Sequence, residues 1–263
     1  MIPVGDSPRR RTTPWVNYAL IALNAGVFLY MLFGLSTSAA ANPAIANRDF
    51  RDQTNGACYG FETRPSPSDH FVCKYAFQPS EWFDNLRGRS NVRAPDRPVI
   101  FFSILAALFL HAGWLHILGN MLFLWVFGDN VEDRMGHGVY LLFYLAAGIV
   151  ASLVQGAINP DSVVPVLGAS GAIAGVLGAY LVYFPRATVS VVIPFFILIF
   201  IPLPIPAWLM IGLWFVQNLF AGVASINQAA NPDAGVAFFA HVGGFVFGMA
   251  TVAAFLRGRR AGA

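Results

Sequence analysis

Along this chain apolar residues gather in blocks long enough to cross a bilayer, parted by short polar connections. A crossing helix needs about 20 mostly apolar residues. Six segments approach or reach that length: 16–35, 114–129, 138–157, 168–184, 204–222 and 238–256. The run from Val99 to Gly128 is too long for one untilted helix and Gly113 divides it, so 99–112 is expected as an interfacial or partly buried helix leading into the second span. The run 189–206 is apolar as well. Pro194, Pro202, Pro204 and Pro206 interrupt it, and each removes a backbone donor, so a membrane-hugging connection before the fifth span is expected there. The pattern predicts an all-α, polytopic bundle of six transmembrane helices. It divides the chain into an N-terminal segment 1–15, a membrane domain 16–257 and a tail 258–263.

Composition fixes the class. The chain is 57 % hydrophobic and 11 % charged, with 24 Phe, against about 25 % charged in soluble domains. The lipid bilayer is therefore the main partner. The net charge of +3 is small and scattered, which argues against a nucleic-acid partner. Arg9, Arg10 and Arg11 precede the first span as they would in a signal peptide, but Ser38-Ala39-Ala40 is a weak cleavage site, and a retained first helix is expected. Those arginines, with Arg134, Arg186, Arg257, Arg259 and Arg260, fall on one side of the six spans, which puts both termini in the cytoplasm by the positive-inside rule. Loop 36–98 then lies outside; its eight Lys and Arg weigh little, since long loops translocate regardless of charge. That loop holds both cysteines, Cys58 and Cys73, on the expected oxidising side, where a disulfide stapling an irregular cap is anticipated.

The informative polar residues lie within spans. Ser170 opens the fourth in Gly168-Ala169-Ser170-Gly171, and His241 opens the sixth in Ala240-His241-Val242-Gly243-Gly244. Span two carries His116 and Asn120 at i, i+4, on one helix face, with His111 just before it. At ~1.5 Å rise per residue Asn120 is roughly 10 Å below the outer end of its helix, and Ser170 and His241 somewhat less. Ionisable groups are costly in hydrocarbon and are functional candidates there by default. A serine is a poor nucleophile without a base in reach, and His241 is the candidate base. Acyl transfer also needs oxyanion donors, for which Asn120, His116 and the Ser170 N–H stand at the right depth. No Asp or Glu lies near that depth in spans two, four or six, so Ser170 and His241 would act as a dyad.

Each residue singly has a plainer explanation. Ser170 suits a helix cap, Asn120 a bridge between helices, and the glycines suit packing: Gly168, Gly171, Gly175 and Gly178 form a smooth stripe, as do Gly244 and Gly248. Bringing those stripes together would set Ser170 beside His241. A metal site is disfavoured, because His111 and His116 at i, i+5 are separated by about 140° on a helix and no cysteine or carboxylate completes a zinc set.

Together these motifs resemble the rhomboid intramembrane serine proteases over about residues 100–257. His111-Ala112-Gly113-Trp114-Leu115-His116-Ile117-Leu118-Gly119-Asn120 is similar to that family's second-helix motif, Gly168-Ala169-Ser170-Gly171 to its nucleophile motif, Ala240-His241-Val242-Gly243-Gly244 to its base motif, and Glu132-Asp133-Arg134-Met135-Gly136 to a recurrent turn. The resemblance implies a six-helix bundle with a water-filled site open to the outside. It implies Ser170 as nucleophile, His241 as general base, and His116, Asn120 and the Ser170 N–H as oxyanion donors. Glu132 and Arg134 would hold the cytoplasmic turn. It implies no cofactor and no metal, and substrates that are transmembrane segments of other proteins, cut near the outer face. One departure stands out. Many members carry an aromatic residue four positions after the nucleophile, under the base, where this chain has Ala174, so support for the His241 ring is expected from span two or six.

Two other classes compete. A catalytically silent relative that binds and escorts membrane proteins would typically lack Ser170 or His241, and both are present. A transporter with His116 and His241 in a proton path would carry charged partners within its spans, and none is seen. The compact termini and the lack of an internal targeting signal suggest a bacterial inner (plasma) membrane. Oligomeric state and physiological substrate are not written in the sequence.

Overall fold

The computed structural model describes residues 1–35, 67–88, 97–162, 164–192, 202–226 and 237–261. In chain order these form β1 (Ile2–Asp6), α1 (Trp15–Leu29, prolonged by a π-helical turn Tyr30–Gly34), α2 (Pro67–Tyr75), α3 (Pro79–Leu86) and α4 (Arg97–Ala106, ending in a 3-10 turn Ala107–Phe109). There follow α5 (Trp114–Phe123), a π-helical turn Leu124–Gly128, α6 (Asp129–Met135), α7 (His137–Ile158), α8 (Ser170–Tyr183), β2 (Thr188–Val192), β3 (Leu203–Pro206), α9 (Ala207–Ile226) and α10 (Phe238–Ala261).

Four described helices are long and apolar enough to cross a membrane: Trp15–Gly34, His137–Ile158, Ala207–Ser225 and Phe238–Arg257. A fifth crossing arises if Ile100–Phe109 and Trp114–Met135, bent by 77° around Gly113, are taken as one broken span. The protein is thus a polytopic, mainly helical membrane protein. The segment expected as the fourth span forms the 14-residue α8, about 21 Å long at 1.5 Å per residue and short of a ~30 Å hydrocarbon core. Of the expected 168–184, Gly168 and Ala169 stay outside the helix at its start and Phe184 at its end. Span two, by contrast, runs on past Asn130 to Met135, and α10 runs through Ala261, into the segment expected as a tail.

The expectation of an all-α chain needs correcting. β1, β2 and β3 form an antiparallel sheet in that order, pairing Asp6 with Val189 and Ser190 with Pro204. The apolar run 189–206 is therefore partly a pair of strands. Thr188-Val189-Ser190-Val191 alternates, with Val189 and Val191 fully buried, the pattern of a half-buried strand. Pro204 and Pro206 occupy β3 at the sheet edge, where a missing N–H is tolerated. Within loop 36–98, α2 and α3 replace part of the expected irregular cap; Cys73 is buried on α2, and Cys58 lies outside the described residues.

At the centre stands α8, with every residue from Gly171 to Tyr180 buried, as befits a helix apolar on all sides. Its small residues set the packing. A Cβ at Gly244 would strike the carbonyl oxygen of Gly171, and one at Gly248 that of Gly175, so α8 and α10 run parallel at backbone contact. A Cβ at Gly171 would stand 2.6 Å from the Ala151 Cβ, and one at Gly175 2.6 Å from the Ala147 Cβ, which sets α7 antiparallel on the other flank. Such close approach replaces the hydrophobic drive that lipid does not supply.

The end of the bundle carrying β1 is tied by polar contacts. Glu132 accepts hydrogen bonds from the N–H groups of Val16 (3.1 Å) and Asn17 (2.7 Å), donors that open α1 and have no partner within it. Its Oε1 also lies 2.5 Å from His137 Nδ1. The π-helical turn widens the helix, and Asn17 Nδ2 donates to the Leu124 carbonyl there at 3.0 Å while Tyr140 donates to Asn17 Oδ1 at 2.8 Å. Arg134 lies over the Phe184 ring, 5.1 Å from its centroid.

Candidate active site

The backbone before α8 is shaped by its surroundings. Val166 pairs with Phe77 in both directions, N–H to carbonyl, at 2.8 and 3.1 Å, and the Gly168 N–H donates to Ala107 O at 2.8 Å. Gly168 has φ +118°, a conformation that L side chains rarely adopt. The chain turns there and the helix starts at Ser170. The Ser170 N–H is therefore one of the first-turn donors that no helical carbonyl satisfies.

Ser170, 71 residues before His241, meets it at hydrogen-bond distance: Ser170 Oγ to His241 Nε2 is 2.8 Å. Both side chains are half-buried. On its other side His241 Nδ1 lies 2.6 Å from Asn218 Oδ1, and the Trp214 ring lies against the imidazole at 5.7 Å between centroids, tilted by 37°. The ring is thus supported from α9, the fifth apolar segment, and not from span two or six. Ala174 is buried beneath the site and supplies no aromatic face. Sequence reasoning looked only for a carboxylate as third member and passed over Asn218. The signal available was the amide pair Gln217-Asn218 in a mostly apolar span, with Asn218 one helical turn after Trp214.

Beside Ser170 stand His116 and Asn120 of span two. A Cβ on Gly168 would be 2.7 Å from His116 Nε2 and 3.8 Å from Asn120 Nδ2, so both side chains converge on the backbone two residues before the serine. Asn120 is 8 % exposed and its Nδ2 has no hydrogen-bond partner among the described residues. A buried amide donor left open is what an oxyanion would complete. His111 is buried and lies edge-on to His116, 5.0 Å between centroids and 64° between planes. Gly171 and Gly244 pack directly against one another. Among the described residues no three His, Cys, Asp or Glu stand together as metal ligands would.

The far end of α8 meets a different cluster. Tyr180 donates to Asp6 Oδ2 at 2.6 Å and Asn130 Nδ2 donates to the same oxygen at 2.9 Å, which docks β1 onto α8 and α6. Burial raises the Asp6 carboxyl to about 6, with Asp129 adding to the rise and the bonds from Tyr180 and Asn130 opposing it.

The Rhomboid domain family matches residues 100–258. The rhomboid protease GluP of Bacillus subtilis is 44 % identical over 81 residues, 31 % of this chain and 15 % of its own length. Rhomboid-like protein 11, chloroplastic, of Arabidopsis thaliana is 34 % identical over 96 residues, 36 % of this chain and 34 % of its own. The mitochondrial presenilin-associated rhomboid-like protein of Homo sapiens is 30 % identical over 100 residues, 37 % of this chain and 26 % of its own. The matched segment spans about a third or less of each of these relatives. With a family match over more than half of its residues, the chain belongs to the rhomboid family.

Proposed function

We propose that this protein is an intramembrane serine endopeptidase that cuts transmembrane segments of other proteins near the outer membrane face. The observation that carries the reading is the 2.8 Å contact between Ser170 Oγ and His241 Nε2, made within a membrane protein by two side chains from separate helices. As the serine oxygen attacks the scissile carbonyl carbon, its proton passes to His241 Nε2. The carbonyl becomes a tetrahedral oxyanion, which the Ser170 N–H, Asn120 Nδ2 and His116 stabilise as hydrogen-bond donors. Collapse expels the amine, which takes the proton from His241 and leaves an acyl-enzyme on Ser170. Water then attacks the ester with His241 again as base, releasing the acid and restoring the serine. The open donor of Asn120 and the glycine-enforced approach of His116 support the oxyanion assignment.

Residues 16–257 make up the protease domain, with six crossings, loop 36–98 outside, and both the N-terminal segment and the tail in the cytoplasm of a bacterial inner membrane. Arg10 and Arg134 lie at the end of the bundle carrying β1. That end is ten residues of α8, or ~15 Å, from Ser170, which favours a site near the opposite, outer face. Cys58 and Cys73 are assigned as a disulfide in the outer loop; alkylation that requires prior reduction supports it, and alkylation without reductant contradicts it.

The test is cleavage of a reporter transmembrane segment in proteoliposomes. The wild type should cut it and Ser170→Ala should not. Equal cutting by both proteins contradicts the proposal.

A further inference from the structure

We infer that Asn218 is a positioning residue that completes a Ser170–His241–Asn218 relay drawn from α8, α10 and α9, and that it fixes His241 in the tautomer with its lone pair on Nε2. The catalytic consequence rests on the protease reading above; the tautomer does not.

The argument follows the hydrogens. Asn218 is 7 % exposed and its amide has one acceptor oxygen and one donor nitrogen. Nδ2 lies 2.8 Å from the Trp214 carbonyl one turn earlier on α9, and a carbonyl accepts only from a donor. That contact turns Oδ1 outward, to within 2.6 Å of His241 Nδ1. An oxygen there requires an N–H opposite, so the ring proton sits on Nδ1. Nε2 is left unprotonated, facing the Ser170 hydroxyl at 2.8 Å, where its lone pair can accept the serine proton. With the proton on the other nitrogen, the imidazole would offer Ser170 a donor and could not act as base.

The choice of an amide has a physical reason. A carboxylate would set the same tautomer but would place an ion among the apolar residues of a membrane helix, which is costly. Asn218 gives the acceptor without the charge. Trp214, on the same face of α9, covers the ring that Ala174 leaves unsupported. One turn of one helix thus sets both the rotation and the protonation of the base, and neither residue carries a charge that would announce it.

The test uses the full-length protein in detergent, with ¹⁵N-labelled histidine and the His241 signals assigned by their loss in His241→Ala. The wild type should show the Nδ1–H tautomer alone. Asn218→Asp, which keeps an acceptor, should retain it, and Asn218→Leu, close in size but without an acceptor, should give a mixture. The same proteins are timed against a fluorophosphonate probe, and the leucine variant should react about 100-fold more slowly, the cost of a misaligned base, while the aspartate variant recovers most of the rate. A wild-type tautomer in Asn218→Leu, or a probe rate within about threefold of wild type, overturns the inference. If the leucine variant does not fold, Asn218→Ala carries the same expectations. A fixed, Asn218-dependent tautomer in a protein inert to the probe would sink the protease reading and leave the positioning role standing; a reactive protein whose tautomer ignores Asn218 would do the reverse.

Discussion

Replacing Gly168 by alanine separates a stability cost from a chemical one. The added Cβ would meet His116 Nε2 at 2.7 Å and Cε1 at 2.8 Å, in a backbone held at φ +118°. The dihedral itself costs about 1–3 kcal/mol for a residue with a side chain. Relief of the contact is cheap, because the colliding atoms are the far end of a side chain; the imidazole need only retreat by about 0.7 Å to reach ordinary contact. That retreat matters to chemistry, since an oxyanion donor must stand about 2.7–3.1 Å from the developing charge and losing one costs about 10²–10³ in rate. Gly168→Ala should therefore lower the thermal midpoint by roughly 2–12 °C, at about 2–4 °C per kcal/mol for chains of this size. Its rate against a fluorophosphonate, followed over time in detergent, should fall about 100-fold. A rate within about threefold of wild type, in a variant that shows the expected stability loss, would refute the placing of His116 at the oxyanion.

Three further outcomes follow from the packing and the charges. Gly244→Ala puts a Cβ against the Gly171 carbonyl oxygen, a backbone atom that can yield only if α8 and α10 part; a loss of at least about 1–3 kcal/mol is expected in thermal unfolding, and an unchanged midpoint contradicts backbone-to-backbone packing. Glu132→Ala removes the carboxylate that accepts from the Val16 and Asn17 N–H groups and should destabilise by about 2 kcal/mol, with partial recovery in Glu132→Gln; equal midpoints for all three proteins would contradict the cap. Asp6 binds its proton more tightly in the folded protein, at about 6 against 3.8, so its contribution to stability is full below about pH 4 and is lost as pH rises through about 6. Asp6→Asn should flatten the thermal midpoint across pH 4–8 relative to wild type, and parallel curves would contradict the docking of β1 through that carboxyl.

The residues legible in the sequence were those whose presence in a membrane span needs a reason. Ser170 and His241 stood near the same ends of apolar segments, and the small residues between them foretold the approach that Gly171 and Gly244 make. His116 and Asn120 shared a helix face, which the structure sets beside Gly168. Asn218 was missed because the search for a third member was a search for charge, and an amide can hold an imidazole without one. The sheet was missed because its first strand lies at the N-terminus, far from any other strand signal, and because prolines in an apolar run read equally well as a broken helix. The short α8 was read as a full span from its apolar length; only the contacts of Val166 and Gly168 with Phe77 and Ala107 set where helix begins.

The central claim is that Ser170 is activated by His241, and locating the adduct of a fluorophosphonate by peptide mass spectrometry tests it most directly. The account expects the mass of the bound probe on the peptide containing Ser170 in the wild type, and its loss in both Ser170→Ala and His241→Ala. An adduct on another residue, or equal modification of Ser170 in folded His241→Ala, would contradict it.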